Sequence, residues 1–252
     1  MRRIGLIAAS ILLPCAAASA GARPADAAAA LAASGRPADA VELDASRKPA
    51  EVLHFLGLEV GDRALDLFAG SGYYTEIMAR AVGPKGLALA WNPANFSTDK
   101  SRAAWAELKA RTPNAGIFAT PANAVSLPSQ AFDFVLLHLV YHDTYWQSAQ
   151  YNFPRMDPPA FLQAVFEATR SGGIVGVVDH VGPAGDTREI VEKLHRIDPA
   201  RVRADFEAAG FVFDGQSDLL ALAEDDHSKN VFDPAIRGKT DRFVYRFRKP
   251  AR

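Results

Sequence analysis

Apolar and polar positions along this chain fall into blocks whose period keeps changing. Residues 63–68, 87–91, 132–140 and 174–178 are short, nearly continuous apolar runs bounded by turn residues. Runs of that length and flanking read as strands buried on both faces, as in a parallel sheet. Between them the spacing becomes helical. Tyr74, Ile77, Met78 and Ala81 share one face of a helix over 73–82. Ser97 or Thr98 can cap a helix to about residue 111, Asp157-Pro158-Pro159 starts one to about 170, and Asp198-Pro199 starts one that ends at Gly210. Asp44 or Ser46 is placed to cap a helix over 49–55, stopped by Gly57. A short third strand covers 115–119, and Ser171-Gly172-Gly173 is a turn into the strand at 174. Residues 211–214 and 242–247 predict an antiparallel pair joined by a long polar loop, 218–240.

Five strands alternating with helices, closed by a strand pair, predict an α/β domain with a mainly parallel sheet covered on both faces. Ligands of such sheets bind beyond the carboxyl ends of the strands. The residues to read are therefore Asp66 to Gly72, Asn92, Asn123, His138 to Asp143, and Asp179-His180.

The N-terminus breaks the pattern. Met1-Arg2-Arg3 is basic, residues 4–17 are mostly apolar, and Ala18-Ser19-Ala20 is a small-x-small cleavage site. That is the order of a signal peptide, and the apolar run is short for a membrane span. The expected organisation is a signal peptide over 1–20, an Ala-rich linker or arm over 21–46 with a short helix near 26–33, and one domain over 47–252. The expected location is the periplasm or outside the cell, with no stable membrane insertion after cleavage. Cys15 is the only cysteine, so cleavage after Ala20 leaves no disulfide, thiolate nucleophile or cysteine metal site. Cleavage also leaves 26 basic against 29 acidic residues, and no basic excess marks a nucleic-acid surface.

The chemistry centres on Asp66-x-Phe68-x-Gly70-x-Gly72, between the first full strand and a helix. Glycines there let the backbone turn sharply and approach a ligand, beside the unpaired N–H groups of the helix start. A nicotinamide dinucleotide site asks for a third glycine, where Thr75 stands, and an acid after the second strand, which is absent. A P-loop is excluded because this glycine loop does not end in Gly-Lys-Ser/Thr.

Leu65-Asp66-Leu67-Phe68-Ala69-Gly70-Ser71-Gly72 resembles the first motif of class I S-adenosylmethionine-dependent methyltransferases. Leu127-Pro128 with Phe132-Asp133-Phe134-Val135 resembles their entry to the fourth strand, and Ser171-Gly172-Gly173-Ile174 their turn into the fifth. More narrowly, Gly72-Tyr73-Tyr74-Thr75-Glu76, Tyr141-His142-Asp143, Val178-Asp179-His180, His195-Arg196-Ile197-Asp198 and Asp225-Asp226-His227 are similar to a family of secreted bacterial methyltransferases. The resemblance implies a three-layer Rossmann-like sheet of seven strands with the last inserted antiparallel, S-adenosylmethionine as cofactor, and a small-molecule substrate. It places Asp66, Phe68, Ala69, Gly70 and Gly72 around the cofactor. Asn92 and Asn123 then stand where family members carry acids for the ribose and the adenine, and an amide lacks the charge that strengthens such bonds. Those two asparagines also keep open a ligand-binding protein that has lost methyl transfer.

For proton transfer, His142 oriented by Asp143 is one candidate base and His180 beside Asp179 another, since an imidazole titrates near neutrality. These four also contain metal-ligand types, but in none of the spacings that mark a metal site, so no metal is expected. Asp225-Asp226-His227 reads as a solvated loop able to fold over the strand ends. Trp146, Tyr151, Phe153, Arg155 and Met156 form an aromatic insert able to wall a small substrate. Nothing in the sequence requires an obligate protein partner.

Overall fold

The computed structural model describes residues 23–251, so the expected signal segment, with Cys15, lies outside the described residues. Four short helices open the chain: α1 (Ala27–Ala32), α2 (Ala38–Glu42), α3 (Asp44–Arg47) and α4 (Pro49–Leu56). Then come β1 (Arg63–Leu67), α5 (Tyr73–Val82), β2 (Leu87–Pro93), α6 (Asp99–Arg111), β3 (Ala115–Thr120) and β4 (Phe132–His138). The second half holds α7 (Pro158–Ala168), β5 (Thr169–His180), α8 (Thr187–Leu194), α9 (Pro199–Ala208), β6 (Val212–Ser217) and β7 (Arg242–Arg248).

All the strands form one seven-stranded sheet, ordered β3-β2-β1-β4-β5-β7-β6. β1 to β5 run parallel, and β7 lies antiparallel between β5 and β6. This is the expected α/β architecture. Its centre explains the unbroken apolar runs. In β4, Phe134 and Leu136 face the layer that holds α1, α4 and α5, while Val135 and Leu137 face α7 and α9; all four are fully buried.

Local details depart from the expected elements. β5 begins before the Ser171-Gly172-Gly173 turn, not after it. Phe132 pairs with Thr169 and Phe134 with Ile174, so the glycines sit in an irregularity of the ladder. Neither Asp44 nor Ser46 caps α4; Lys48 does so in a left-handed conformation, and Pro49 supplies the first turn. α8 has no counterpart among the expected elements. Its sequence signal is Asp186, whose carboxylate accepts a bond from the Glu189 N–H.

The Ala-rich segment forms helices. Asp26 caps α1, which buries Ala27 and Ala30 in the core cluster containing α5. Farther along, the Asp44 carboxylate pairs with Arg36 at 2.6 Å and accepts a 2.7 Å bond from the Tyr73 hydroxyl. This ties α3 to the start of α5 and holds Arg47 over the Tyr73 ring, 4.4 Å from its centroid.

Candidate functional site

The glycine loop is built to stay put. Asp66, at the end of β1, is buried and accepts bonds from the Thr75 hydroxyl (2.6 Å) and the Thr75 N–H. It thus satisfies a donor in the first turn of α5, whose own N-cap, Gly72, offers no side chain. Burial raises the Asp66 pKa to about 7, against the pull of the Thr75 bonds. Asn92, at the end of β2, grips the loop from the other side. Its Oδ1 accepts from the Gly70 N–H and its Nδ2 donates to the Gly70 carbonyl, both at 2.9 Å. The same carbonyl accepts from the Trp105 indole of α6 at 3.1 Å.

The two glycines do different work. Gly72 has φ +87° and is buried; a Cβ there would lie 2.6 Å from Leu108 Cδ1 and 2.7 Å from Trp105 Cη2. Gly70 has φ +58° and open space where a Cβ would sit. Gly72 therefore lets α6 pack down, and Gly70 leaves the cleft above the loop free. That cleft, about 410 Å³, is lined by Phe68, Gly70, Ser71, Asn92 and Phe96, with the first turns of α6 along one side. Ala69 packs towards the core instead. Asn123 is exposed after β3 and lines neither this cleft nor the larger cavity beside it.

The ends of β4 and β5 build that larger cavity, about 690 Å³. Beyond β4 a short helical turn over Tyr141–Tyr145 carries His142 and Asp143. The Asp179 carboxylate takes both the His142 N–H (2.9 Å) and His142 Nδ1 (2.7 Å). On the far side of the ring, Nε2 lies 3.4 Å from Asp143 Oδ1. Burial pushes the His142 pKa down, but Asp179 and then Asp143 outweigh it and raise it to about 9. His142 is accordingly an imidazolium at neutral pH, not the free base the sequence suggested. The order of support is reversed too, since Asp179 serves His142 rather than His180. Asp143 is the more exposed of the pair towards the cavity, with a quarter of its side chain exposed against 4% for His142. Its pKa is raised to about 6, by burial first, with His142 opposing.

His180 stays neutral. Burial lowers its pKa to about 3, and Nδ1 lies 2.7 Å from the Thr240 hydroxyl. It can hold a hydrogen bond but is too weak a base to keep a proton near neutrality. The structure brings His142, Asp143 and His180 together in one cavity. Among the described residues no group of three or more His, Cys, Asp or Glu side chains is placed to hold a metal ion.

Other lining residues escaped the sequence reading. Arg47 from α3, His195 from the end of α8, Phe232 from the 218–240 loop and Arg242 from β7 all reach this cavity. They lie far apart in sequence, and only the antiparallel insertion of β7 and the packing of α3 on α5 bring them to the strand ends. The Asp225 part of that loop is no solvated turn. Asp225 is buried and paired at 2.8 Å with the fully buried Arg196. Phe96 and Asp143 line both cavities, so the cleft over the glycines and the larger chamber adjoin at these two side chains.

Comparison with known proteins agrees with this fold. Residues 40–110, from α2 to α6, match the family model of protein-L-isoaspartate(D-aspartate) O-methyltransferase, which is less than half of the chain. No curated protein sequence matches the chain. Among solved structures, the chain is similar to a SAM-dependent methyltransferase from Aquifex aeolicus at 20% identity and a TM-score of 0.58, over 85% of this chain and 98% of that one. The 1,6-didemethyltoxoflavin-N1-methyltransferase of Burkholderia thailandensis, solved with 1,6-didemethyltoxoflavin and S-adenosylhomocysteine, aligns at 15% identity and a TM-score of 0.52, over 84% and 80%. The [4+2]-cyclase SpnF aligns at 17% identity and a TM-score of 0.57, over 82% of each chain. The chain has the fold of the class I S-adenosylmethionine-dependent methyltransferases.

Proposed function

We propose that this protein is an S-adenosylmethionine-dependent methyltransferase that acts on a small molecule after export to the periplasm. The observation that carries the reading is the junction at Asp143, where a cleft over a glycine loop meets a separate walled chamber. A two-substrate transfer needs that arrangement: two sites, one shared point, and a proton acceptor at it.

The cleft fits the cofactor at its glycine end. Gly70 carries nothing that fills the space above it, and Phe68, Ser71, Asn92 and Pro93 complete the walls. When bound, S-adenosylmethionine would supply a methyl group activated by its sulfonium sulfur. The protein's own part is positioning and proton removal. Phe96 and Asp143 border both sites. The Asp143 carboxylate accepts the proton released by a hydroxyl or amine as it becomes methylated. The His142 imidazolium, clamped by Asp179, keeps Asp143 oriented and ionised above pH 6. Export rests on the basic, apolar and small-residue order of residues 1–20.

A second reading keeps the site and drops the reaction. Asn92 is committed to the Gly70 backbone, Asn123 faces solvent, and one protein of this fold is named a cyclase. Calorimetry with S-adenosylmethionine and S-adenosylhomocysteine separates the two. The methyltransferase reading expects both to bind, and Gly70→Asp, which puts a side chain into the cleft, to weaken both by at least about tenfold. No binding at millimolar ligand sinks it. Once a substrate is in hand, Asp143→Asn should cost about 10²–10⁴-fold in turnover with cofactor affinity kept.

A further inference from the structure

Among the described residues, other buried guanidinium groups come with carboxylates. Arg196 has Asp225, Arg36 has Asp44, and both groups of each pair are largely withdrawn from solvent. Arg242 is the exception. Its side chain lines the larger chamber and the residue is only 5% exposed. It donates Nη1 to the Ser46 carbonyl (2.9 Å) and Nε to the Thr240 hydroxyl (3.1 Å), both neutral acceptors. Among the described residues it enters no ion pair. Arg47 lines the same chamber, also without an ion pair among the described residues, held over the Tyr73 ring. The two arginines repel each other, and burial with this repulsion lowers the Arg242 pKa from its ordinary value. Asp179 offsets part of the charge, but its carboxylate is already bonded to His142. Arg237 lines the chamber as well, so three guanidinium groups face it against the single lining carboxylate of Asp143, an excess of positive charge whose cost an entering anion offsets.

The chamber also has an aromatic lining. Tyr151, Trp146, His195 and Phe232 form a continuous series, with ring centroids 5.9, 5.2 and 5.0 Å apart in that order. Phe96, Tyr151 and Phe232 are each more than two-fifths exposed, and all three line this one cavity. Exposed aromatic side chains gathered at one mouth mark a surface that a ligand covers.

We propose that the chamber binds an aromatic carboxylic acid, its carboxylate on Arg242 and Arg47 and its ring against the Trp146–Phe232 wall. Arginine favours this ligand because its planar fork matches a carboxylate in two-point contact and survives burial as a cation. Arg47 and Arg242 line the chamber but not the cleft over Gly70, so the acid group is the anchor. A hydroxyl or amino group elsewhere on the ring is then the part presented to Asp143. The assignment rests on the methyltransferase reading for the fate of that group, but not for binding of the acid.

The test is calorimetry on the purified chain with benzoate, 4-hydroxybenzoate and indole-3-acetate, each against its neutral primary amide. The acids should bind at least about tenfold more tightly than the amides, the difference between a charged and a neutral hydrogen-bond acceptor. Arg47→Gln should erase most of that preference. Arg242→Lys should reduce it while its melting curve shows a folded protein. Equal affinity for acids and amides, no binding of any acid at 10-millimolar order, or an unchanged preference in Arg47→Gln overturns the proposal. S-adenosylhomocysteine is titrated in parallel. If it fails to bind while the acids still do, the methyltransferase reading falls and the anion chamber stands. If it binds while acids and amides tie, the chamber assignment falls alone.

Discussion

At the scale of single residues, the site turns on who holds the His142 proton. A lone Tyr141-His142-Asp143 in sequence suggests a base with a neighbouring acid. The fold adds Asp179 from a different strand, 37 positions away, and the second carboxylate converts the base into a buried cation. Nothing local in the sequence could carry that, because the pairing depends on β4 and β5 being neighbours with their ends level. It has a consequence for stability. His142 titrates near 6.5 in an unfolded chain and at about 9 in the fold, so the folded state holds the extra proton between those values. Its contribution is complete below pH 6.5 and is lost as pH rises through 9. His180 and His195 face the same space but remain neutral, with pKa values of about 3 and 4, so they titrate outside this window. Urea unfolding between pH 6.5 and 9.5 should show stability falling with pH. In Asp179→Asn the fall should flatten, because the main partner raising the His142 pKa is gone. An unchanged slope in the variant would remove His142 as its source.

At the scale of elements, the glycine loop was the most legible part of the chain, yet its two glycines differ in a way spacing does not reveal. Both adopt left-handed backbone, but only Gly72 lies under side chains of α6. Gly72→Ala meets both a backbone penalty and the Leu108–Trp105 contact, together costing about 2–5 kcal/mol. Gly70→Ala meets the backbone penalty alone, about 1–2 kcal/mol. Denaturant titration of the two variants should therefore rank Gly72→Ala as clearly the worse. Equal losses would mean that α6 does not press on the loop as described. Asn92 shows the limit of reading roles from position. Its place at the end of β2 suggested a ribose contact, and the fold adds a role that position does not reveal, since its amide also grips the Gly70 backbone. The 218–240 loop shows the reverse: polar composition predicted solvation, but one buried ion pair, Arg196 with Asp225, fastens it beside the chamber.

At the scale of the whole molecule, the central parallel strands were readable because β1, β2, β4 and β5 are mostly buried and so write apolar runs, whereas the edge strand β3 is half exposed. The chamber was not readable, because its walls come from α3, the turn after β4, α8, the 218–240 loop and β7, which share no periodicity. The start of the described fold also bears on export. The Arg23 carbonyl accepts a bond from the Val60 N–H, and the Ala25 N–H donates to the Leu58 carbonyl, both at 2.9 Å. The body is thus tied together within a few residues of the expected cleavage point after Ala20. Cleavage there removes none of these contacts, so a chain starting at Gly21 should melt at the same temperature as the domain in the full-length protein. Expressed with residues 1–20 in a bacterial host, the protein should be recovered from the periplasmic fraction with the mass of the chain from Gly21. Retention in the cytoplasm at full mass would overturn export. It would also place the site alongside the cell's own supply of S-adenosylmethionine, which an exported enzyme must obtain by another route.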